Sequence, residues 1–302
     1  MIEVVLFVAA ALRISVPYAL AAVGATFSER GGVINIALEG IMLNGALGYV
    51  LGAWVSHDPW IGLLAAIAAG ILTALLHAVV TVRFQADQIT SGLGINLLAA
   101  GLTRFVLHAV FHSSSNSERV VGFPRLPIPG LENLGTVASV VGSPLILIAV
   151  VLVVVGQGLL FRTVFGLRLR SVGEHPEAAA SLGLHVRGYR FGGVILSGIL
   201  AGTAGAWLAS EQHSFTDGMT SGRGYIAIAA MIVGKWSPTG AAAACLLFGA
   251  AEALQITLQG SAFPSELLQM LPYLVTMLAL AGFIGRAHPP RALGTPFDPE
   301  KA

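Results

Sequence analysis

Glu29, Arg30, Asn35 and Glu39 stand close together in Ser28–Gly40 (SERGGVINIALEG), between two long apolar runs. Polar groups and glycines at membrane depth belong to backbone that faces protein or a cavity rather than lipid. Such a segment implies a chain that moves a solute. Further along, Asn44, Gln88, Asn96 and Thr103 lie in or beside apolar runs. With Asn35 and Glu39 they form the candidate pathway set. Amides and hydroxyls offer donors and acceptors without fixed charge, which suits an uncharged polar solute. The competing reading for each is hydrogen bonding between helices. Glu39 has a further one, holding Arg30 or another backbone segment in place. Glu252 and Gln255, in the run 238–258, carry the same two readings. Arg13 and Arg104 are placed to anchor helix ends by snorkelling.

Chemistry of the catalytic kind is not expected. Gly234-Lys235-Trp236 has no Ser or Thr after the lysine and no glycine five positions earlier, so it is not a phosphate-cradling loop. The eight histidines are scattered and include no His-Glu-x-x-His pair, so no metal site is expected. Cys245, the one cysteine, lies in an apolar run and reads as a small buried residue. Energy for transport would have to come from a partner or an ion gradient.

The elements that hold these residues follow from composition. Of 302 residues, 55% are hydrophobic and only 10% charged, with mean hydropathy +0.81. A soluble domain carries about 25% charged residues, so a core of this size would lack a charged surface. The fold class expected is an all-α polytopic membrane protein. The net charge of +1 gives no reason to expect a nucleic-acid partner. Apolar runs fall near 4–27, 33–56, 60–82, 90–111, 141–161, 191–210, 223–236, 238–258 and 266–285. Most approach the roughly 20 residues that cross a bilayer, giving about eight to ten spans. The 223–236 run is short and reads as a half-crossing or tilted element. The first run has no basic segment before it and reads as a membrane helix, not a removable signal.

Arg162, Arg168, Arg170, Arg187 and Arg190 gather between two spans, and Arg286, Arg291 and Lys301 in the tail. The positive-inside rule makes both cytoplasmic. Counting spans back leaves the N-terminus outside and the C-terminus inside, with Glu29 and Arg30 at the inner surface and Asn35 and Glu39 at membrane depth. The loop 112–140, rich in Ser, Pro and Gly (Pro124, Pro127, Pro129), reads as irregular extracytoplasmic structure. The halves of the chain echo one another. Gly32–Gly40 follows a span ending at Phe27, and Gly224–Gly234 follows a span ending near Ala209, with opposite directions across the membrane. Inverted repeats with broken membrane helices are a transporter architecture. The chain is read as one permease domain over 1–302: a first half 1–161, a cytoplasmic segment 162–190, a second half 191–285 and a tail 286–302.

In the cytoplasmic segment, Pro176 suits a first helical turn and Glu177 the positive end of the helix dipole. Ala178, Ala179, Ala180 and Leu182 continue a short helix that Gly183 stops. This is either a loop helix held at the headgroups or a rigid lever for a cytosolic partner.

Three motifs carry a family resemblance. Glu174, Pro176, Ala178, Ala179 and Gly183 resemble the coupling-helix segment of the inner-membrane permeases of ribose, branched-chain amino acid and nucleoside ABC importers. Ser28–Gly40 resembles that family's N-terminal hallmark, and Gly224–Ala230 with Gly234–Gly240 its third. The run Asp87–Thr103, through Gln88, Gly92 and Asn96, is most similar to nucleoside permeases. The resemblance implies a transport subunit that is not itself an enzyme, in a bacterial inner membrane. It implies two permease chains forming a pathway, this one similar to the shorter of an unlike pair. It implies cytosolic ATPases that carry ATP and Mg, an extracytoplasmic solute-binding lipoprotein, and lipid around the spans. No cofactor is expected on this chain. Glu174, Pro176, Glu177, Ala178, Ala179 and Gly183 would couple to the ATPase. The alternatives are an ABC permease for a sugar or a branched-chain amino acid, and an ion-coupled secondary transporter with Glu39 or Glu252 as the coupling acid.

Overall fold

The computed structural model describes residues 2–126, 142–259, 265–279, 281 and 288–298. The rest of the 112–140 loop, with Pro127 and Pro129, and Arg286 and Lys301 of the tail lie outside the described residues. Among the described residues the chain is built from helices: α1 (Ile2–Arg30), α2 (Leu38–Ser56), α3 (Pro59–Ala78, running on into a π turn at Val79–Arg83), α4 (Gln88–Phe111), α5 (Pro144–Arg162), α6 (Val164–Glu174), α7 (Pro176–Ser181), α8 (Val186–Gln212), α9 (Arg223–Val233), α10 (Pro238–Leu258) and α11 (Ser265–Leu278). Seven are long and apolar enough to cross a membrane, and α9 and Leu267–Leu278 of α11 are shorter apolar helices. The short 223–236 run is thus a half-length helix.

Polar caps start several of these helices where the apolar sequence alone would leave N–H groups unpaired. Asp58 accepts from the backbone N–H of Trp60 at 2.7 Å, with Pro59 at the first helical position of α3. Asp87 accepts from Thr90 N–H at 2.7 Å at the start of α4, and hydrogen bonds from Thr90 hold its carboxyl below the usual carboxylate range. Ser237 does the same for α10 through Gly240 N–H. At the other end, α2, α4 and α8 all stop on a histidine in the left-handed region: His57, His112 and His213.

The core joins α1, α2, α3, α8 and α10. Glycines set the helix spacing at its centre. A Cβ on Gly45 would lie 2.7 Å from Gly202, and one on Gly70 would strike the carbonyl of Gly198. Backbones of α2, α3 and α8 therefore touch, as small residues permit between membrane helices. Arg13 and Arg104 do more than snorkel: they pair with Glu211 and Asp217.

A candidate solute pathway element and its mechanical link

Between α1 and α2 the chain leaves the helix. Gly32 turns with φ +88°, and Val33–Ala37 is not α-helical. Peptide groups exposed inside a membrane protein need partners, and side chains supply them here. Ser28 Oγ donates to Val33 O at 2.8 Å. Ile34 N–H donates to Gln88 Oε1 at 2.7 Å. His77 Nε2 donates to Ile34 O at 2.9 Å, since a carbonyl only accepts, which leaves Nδ1 to accept from Ser91 Oγ at 3.0 Å. Asn96 Nδ2 donates to Ile36 O at 3.0 Å and to Tyr225 Oη at 2.9 Å, while its Oδ1 accepts from Gly40 N–H at 2.8 Å.

The second broken element completes the first. Glu39 accepts from the backbone N–H groups of Gly222 and Gly224, each at 2.7 Å, and so closes the N-terminus of α9 with a carboxylate. This is the favourable end of the helix dipole for a negative charge. Gly224 has no side chain because a Cβ would lie 2.5 Å from Glu39 N. Past the other end of α9, Trp236 Nε1 donates to Glu29 Oε2 at 2.6 Å. Arg30 Nε donates to Trp236 O at 2.8 Å and Arg30 Nη2 to Lys235 O at 3.1 Å. Residue 30 meets 235–236 and residue 39 meets 222–224, so the two segments run antiparallel beside one another. Glu29, expected at the inner surface, is 4% exposed and enclosed by protein: it closes this pairing at its far end.

Of the expected pathway residues, Asn35, Glu39, Gln88 and Asn96 converge on the broken segment. Asn35 Nδ2 donates to Ser197 Oγ at 2.9 Å, and its buried Oδ1 has no partner among the described residues. Asn44 stands further along α2 and donates to Thr73 Oγ1 at 3.0 Å, its Oδ1 also buried without a partner. Thr103 is two turns beyond Asn96 on α4, fully buried, with its hydroxyl on Ala100 O. No bonding role is expected from sequence for His77 and Ser197, which lie in apolar runs, or for Tyr225 and Trp236, which stand in the glycine-led motifs without a neighbour that announces their distant partners. The one usable signal was the apolar run around His77, where a histidine needs two partners to be buried.

The segment between α5 and α8 holds two helices, not one. α6 begins with Thr163 accepting from Gly166 N–H at 3.2 Å. α7 buries Pro176 and Ala179 and exposes Glu177, Ala178, Ser181 and Leu182. Gly183, at φ +81°, ends it, with Leu184 N–H on Ala179 O at 3.0 Å. Gly173 packs so closely on the Arg30 carbonyl that no Cβ fits. Residues 288–298 then strap the region together. Ala292 N–H donates to Gly173 O (2.9 Å) and Gly294 N–H to Gly32 O (3.2 Å). Arg190 Nη1 and Gln85 Nε2 donate to Thr295 O and Phe297 O, each at 2.8 Å, and Arg291 N–H donates to Glu174 Oε2 at 3.3 Å. Phe297 is buried with Val172, Ala179 and Val186. The α6–α7 unit is thus tied to the turn at Gly32, one step from the broken segment.

The chain is similar to known proteins over most of its length. Residues 7–280 match the family described as branched-chain amino acid transport system / permease component. The chain is 41% identical to the guanosine ABC transporter permease protein NupQ of Bacillus subtilis (97% of this chain, 96% of that protein). It is 39% identical to the nucleoside ABC transporter permease protein NupC of Lactococcus lactis subsp. cremoris, over 98% of both. It is 35% identical to a putative glucose ABC transporter permease protein, TsgC13, of Haloferax volcanii (80% of this chain, 74% of that protein). In fold it is similar to an inward-facing putative metal-chelate type ABC transporter, with TM-score 0.51 and 16% identity over 91% of this chain and 84% of that one. The chain is a multi-pass membrane permease subunit of an ABC importer and belongs to the branched-chain amino acid transport system / permease component family.

Proposed function

We propose that this permease carries nucleosides across the bacterial inner membrane. The observation that carries the reading is the identity of 41% and 39% to a guanosine and a nucleoside permease over nearly the whole chain. An ABC permease works with an ATPase and a solute-binding protein. In the assembly we propose, a second permease chain unlike this one completes the pathway, a lipoprotein stands outside, and the ATPase holds ATP and Mg with no cofactor on this chain. The positive-inside rule puts α6, α7 and residues 288–298 in the cytoplasm and the start of α1 outside.

In this reading α7 docks on the ATPase through Glu177, Ala178 and Leu182. Glu174, Pro176, Ala179 and Gly183 hold its shape. ATPase closure pulls α6–α7, and the packing of Gly173 on Arg30 passes that pull to the broken segment. At the pathway Glu39, Gln88 and Asn96 fix the backbone of its wall, while Asn35 and Asn44 keep a free amide oxygen and Thr103 packs within α4. The resemblance to the Haloferax permease keeps a sugar as the second reading.

The test is uptake in vesicles containing this chain, its ATPase, its second permease and its lipoprotein. Labelled guanosine should enter with ATP, and unlabelled nucleosides should compete while leucine and glucose do not. ATP-driven uptake of glucose or leucine, unaffected by nucleosides, would overturn the substrate. Gradient-driven uptake by this chain alone would overturn the mechanism.

A further inference from the structure

The side chains around Val33–Ala37 are largely committed to backbone groups, yet a second polar cluster stands across α1 with groups to spare. Tyr18 on α1, Ser221 and Arg223 at the start of α9, Glu252 and Gln255 on α10 and Gln269 on α11 line a cavity of about 290 Å³. That is close to the lower end of the range of small-ligand sites, about 300 Å³. The Tyr18 hydroxyl donates to Glu252 Oε2 at 2.5 Å, and Arg223 Nη2 to Glu252 Oε1 at 3.3 Å. The Arg223 and Glu252 side chains remain 25% and 21% exposed. Neither Gln255 nor Gln269 has a hydrogen-bond partner among the described residues.

Depth decides what this opening faces. Arg223 begins α9, an 11-residue helix that ends beside the Trp236–Glu29 pair near the α6–α7 end. At about 1.5 Å per residue, Arg223 lies roughly 16 Å in from there, half of a hydrocarbon layer about 30 Å thick. An ion pair left partly open at that depth is costly against lipid, and such groups face protein or a water-filled cavity. A neighbouring cavity, on the side of α1 that packs with α5, shows the contrast: Leu12, Val16, Val150, Val153 and Leu246 line it.

We infer that the Tyr18–Arg223–Glu252 cavity faces the aqueous pathway and is a binding subsite for a neutral polar solute, which on the reading above is a nucleoside. The charges of Arg223 and Glu252 cancel, which favours an uncharged guest. Together they offer a donor and an acceptor at the spacing of a vicinal diol. The two free amides each present a donor and an acceptor, matching the amide-like edge of a base. The inference rests on the nucleoside reading for the solute's identity, though not for the site's position.

The test uses the complete transporter carrying Ser221→Cys, Gln255→Cys or Gln269→Cys, with Cys245 left in place because it is buried. A small cationic methanethiosulfonate reagent should modify each introduced thiol, and guanosine with the lipoprotein and ATP should slow the reaction at least about threefold, the protection given by roughly two-thirds occupancy of the site. Val150→Cys should stay unmodified. Ser214→Cys, half-buried on the loop after α8 and outside the cavity, reports that reagent reaches the protein. Absence of reaction at all three cavity positions while Ser214→Cys reacts would place the cavity against lipid or protein and overturn the inference. Reaction that neither guanosine nor glucose slows would overturn it as well. Protection by glucose and not by guanosine would uphold the subsite and refute the nucleoside reading.

Discussion

Replacing Glu39 with glutamine separates a cap from a solute ligand. The carboxylate receives two backbone N–H groups, from Gly222 and Gly224, both at 2.7 Å. Glutamine keeps one acceptor oxygen and turns an NH2 towards the other donor. One charge-assisted bond, about 1.5–3 kcal/mol, is lost. The remaining bond becomes a neutral one, and the attraction of a negative charge for the α9 N-terminus, about 0.3–1 kcal/mol, disappears. The expected cost is about 2–4 kcal/mol. At roughly 2 °C per kcal/mol for a long chain, the apparent Tm of the assembled transporter in nanodiscs should fall by about 4–8 °C. Glu39→Asp keeps the charge on a shorter stem and should fall between Glu39→Gln and the parent. Uptake by Glu39→Gln should decline with the amount of folded transporter, and low temperature should recover much of it. A Glu39→Gln transporter with unchanged Tm and no uptake at any temperature would refute the capping argument and make the carboxylate a direct participant in transport.

Trp236→Phe removes the only hydrogen-bond donor seen on the Glu29 carboxylate among the described residues, leaving a buried acid unpaired; the same thermal assay should register a loss of about 1.5–3 kcal/mol. Gly70→Val drives a side chain into the Gly198 carbonyl and should abolish folded material on size-exclusion chromatography, whereas Gly94→Ala and Gly101→Ala, where an added Cβ meets nothing, should leave the yield unchanged. Gly183→Val forces a branched residue into φ +81° in open space. It should reduce ATPase co-purification several-fold while the Tm of the membrane subunit moves by less than about 2 °C, since the strain of about 1–2 kcal/mol falls on the end of α7. Equal ATPase retention would count against α7 as the docking element.

Hydropathy located the spans because a bilayer imposes length and polarity on every helix that crosses it. The end of α7 was readable for a local reason: Pro176 and Gly183 each prefer one backbone state. α6 was not read as a separate helix, since Arg168 and Arg170 make Val164–Glu174 look like basic loop sequence. The strap at 288–298 was also hidden, because its bonds are made mostly by backbone groups, which no side chain announces. The polar residues show the deeper limit. Gln88 and Asn96 were recognisable as polar at membrane depth, but sequence does not tell a side chain that satisfies a distant carbonyl from one that meets a solute. That difference depends on Ile34 and Ile36 leaving the helix, a property of how the segment packs with α3, α4 and α9.

The pairing of Glu29 with Trp236 spans 207 residues of chain, and that of Glu39 with Gly222 spans 183. A ribosome adding about 5–20 residues per second takes roughly 10–40 s to cover such a distance. Through that interval two carboxylates of the newborn protein lie among hydrophobic segments with their eventual partners not yet made. The first half must therefore wait at the insertion machinery, or keep those carboxylates in contact with water, until residues 222–236 emerge. Slowing translation beyond Gln212 would lengthen this exposed period, so the codon choice after α8 bears on how much transporter reaches the membrane intact.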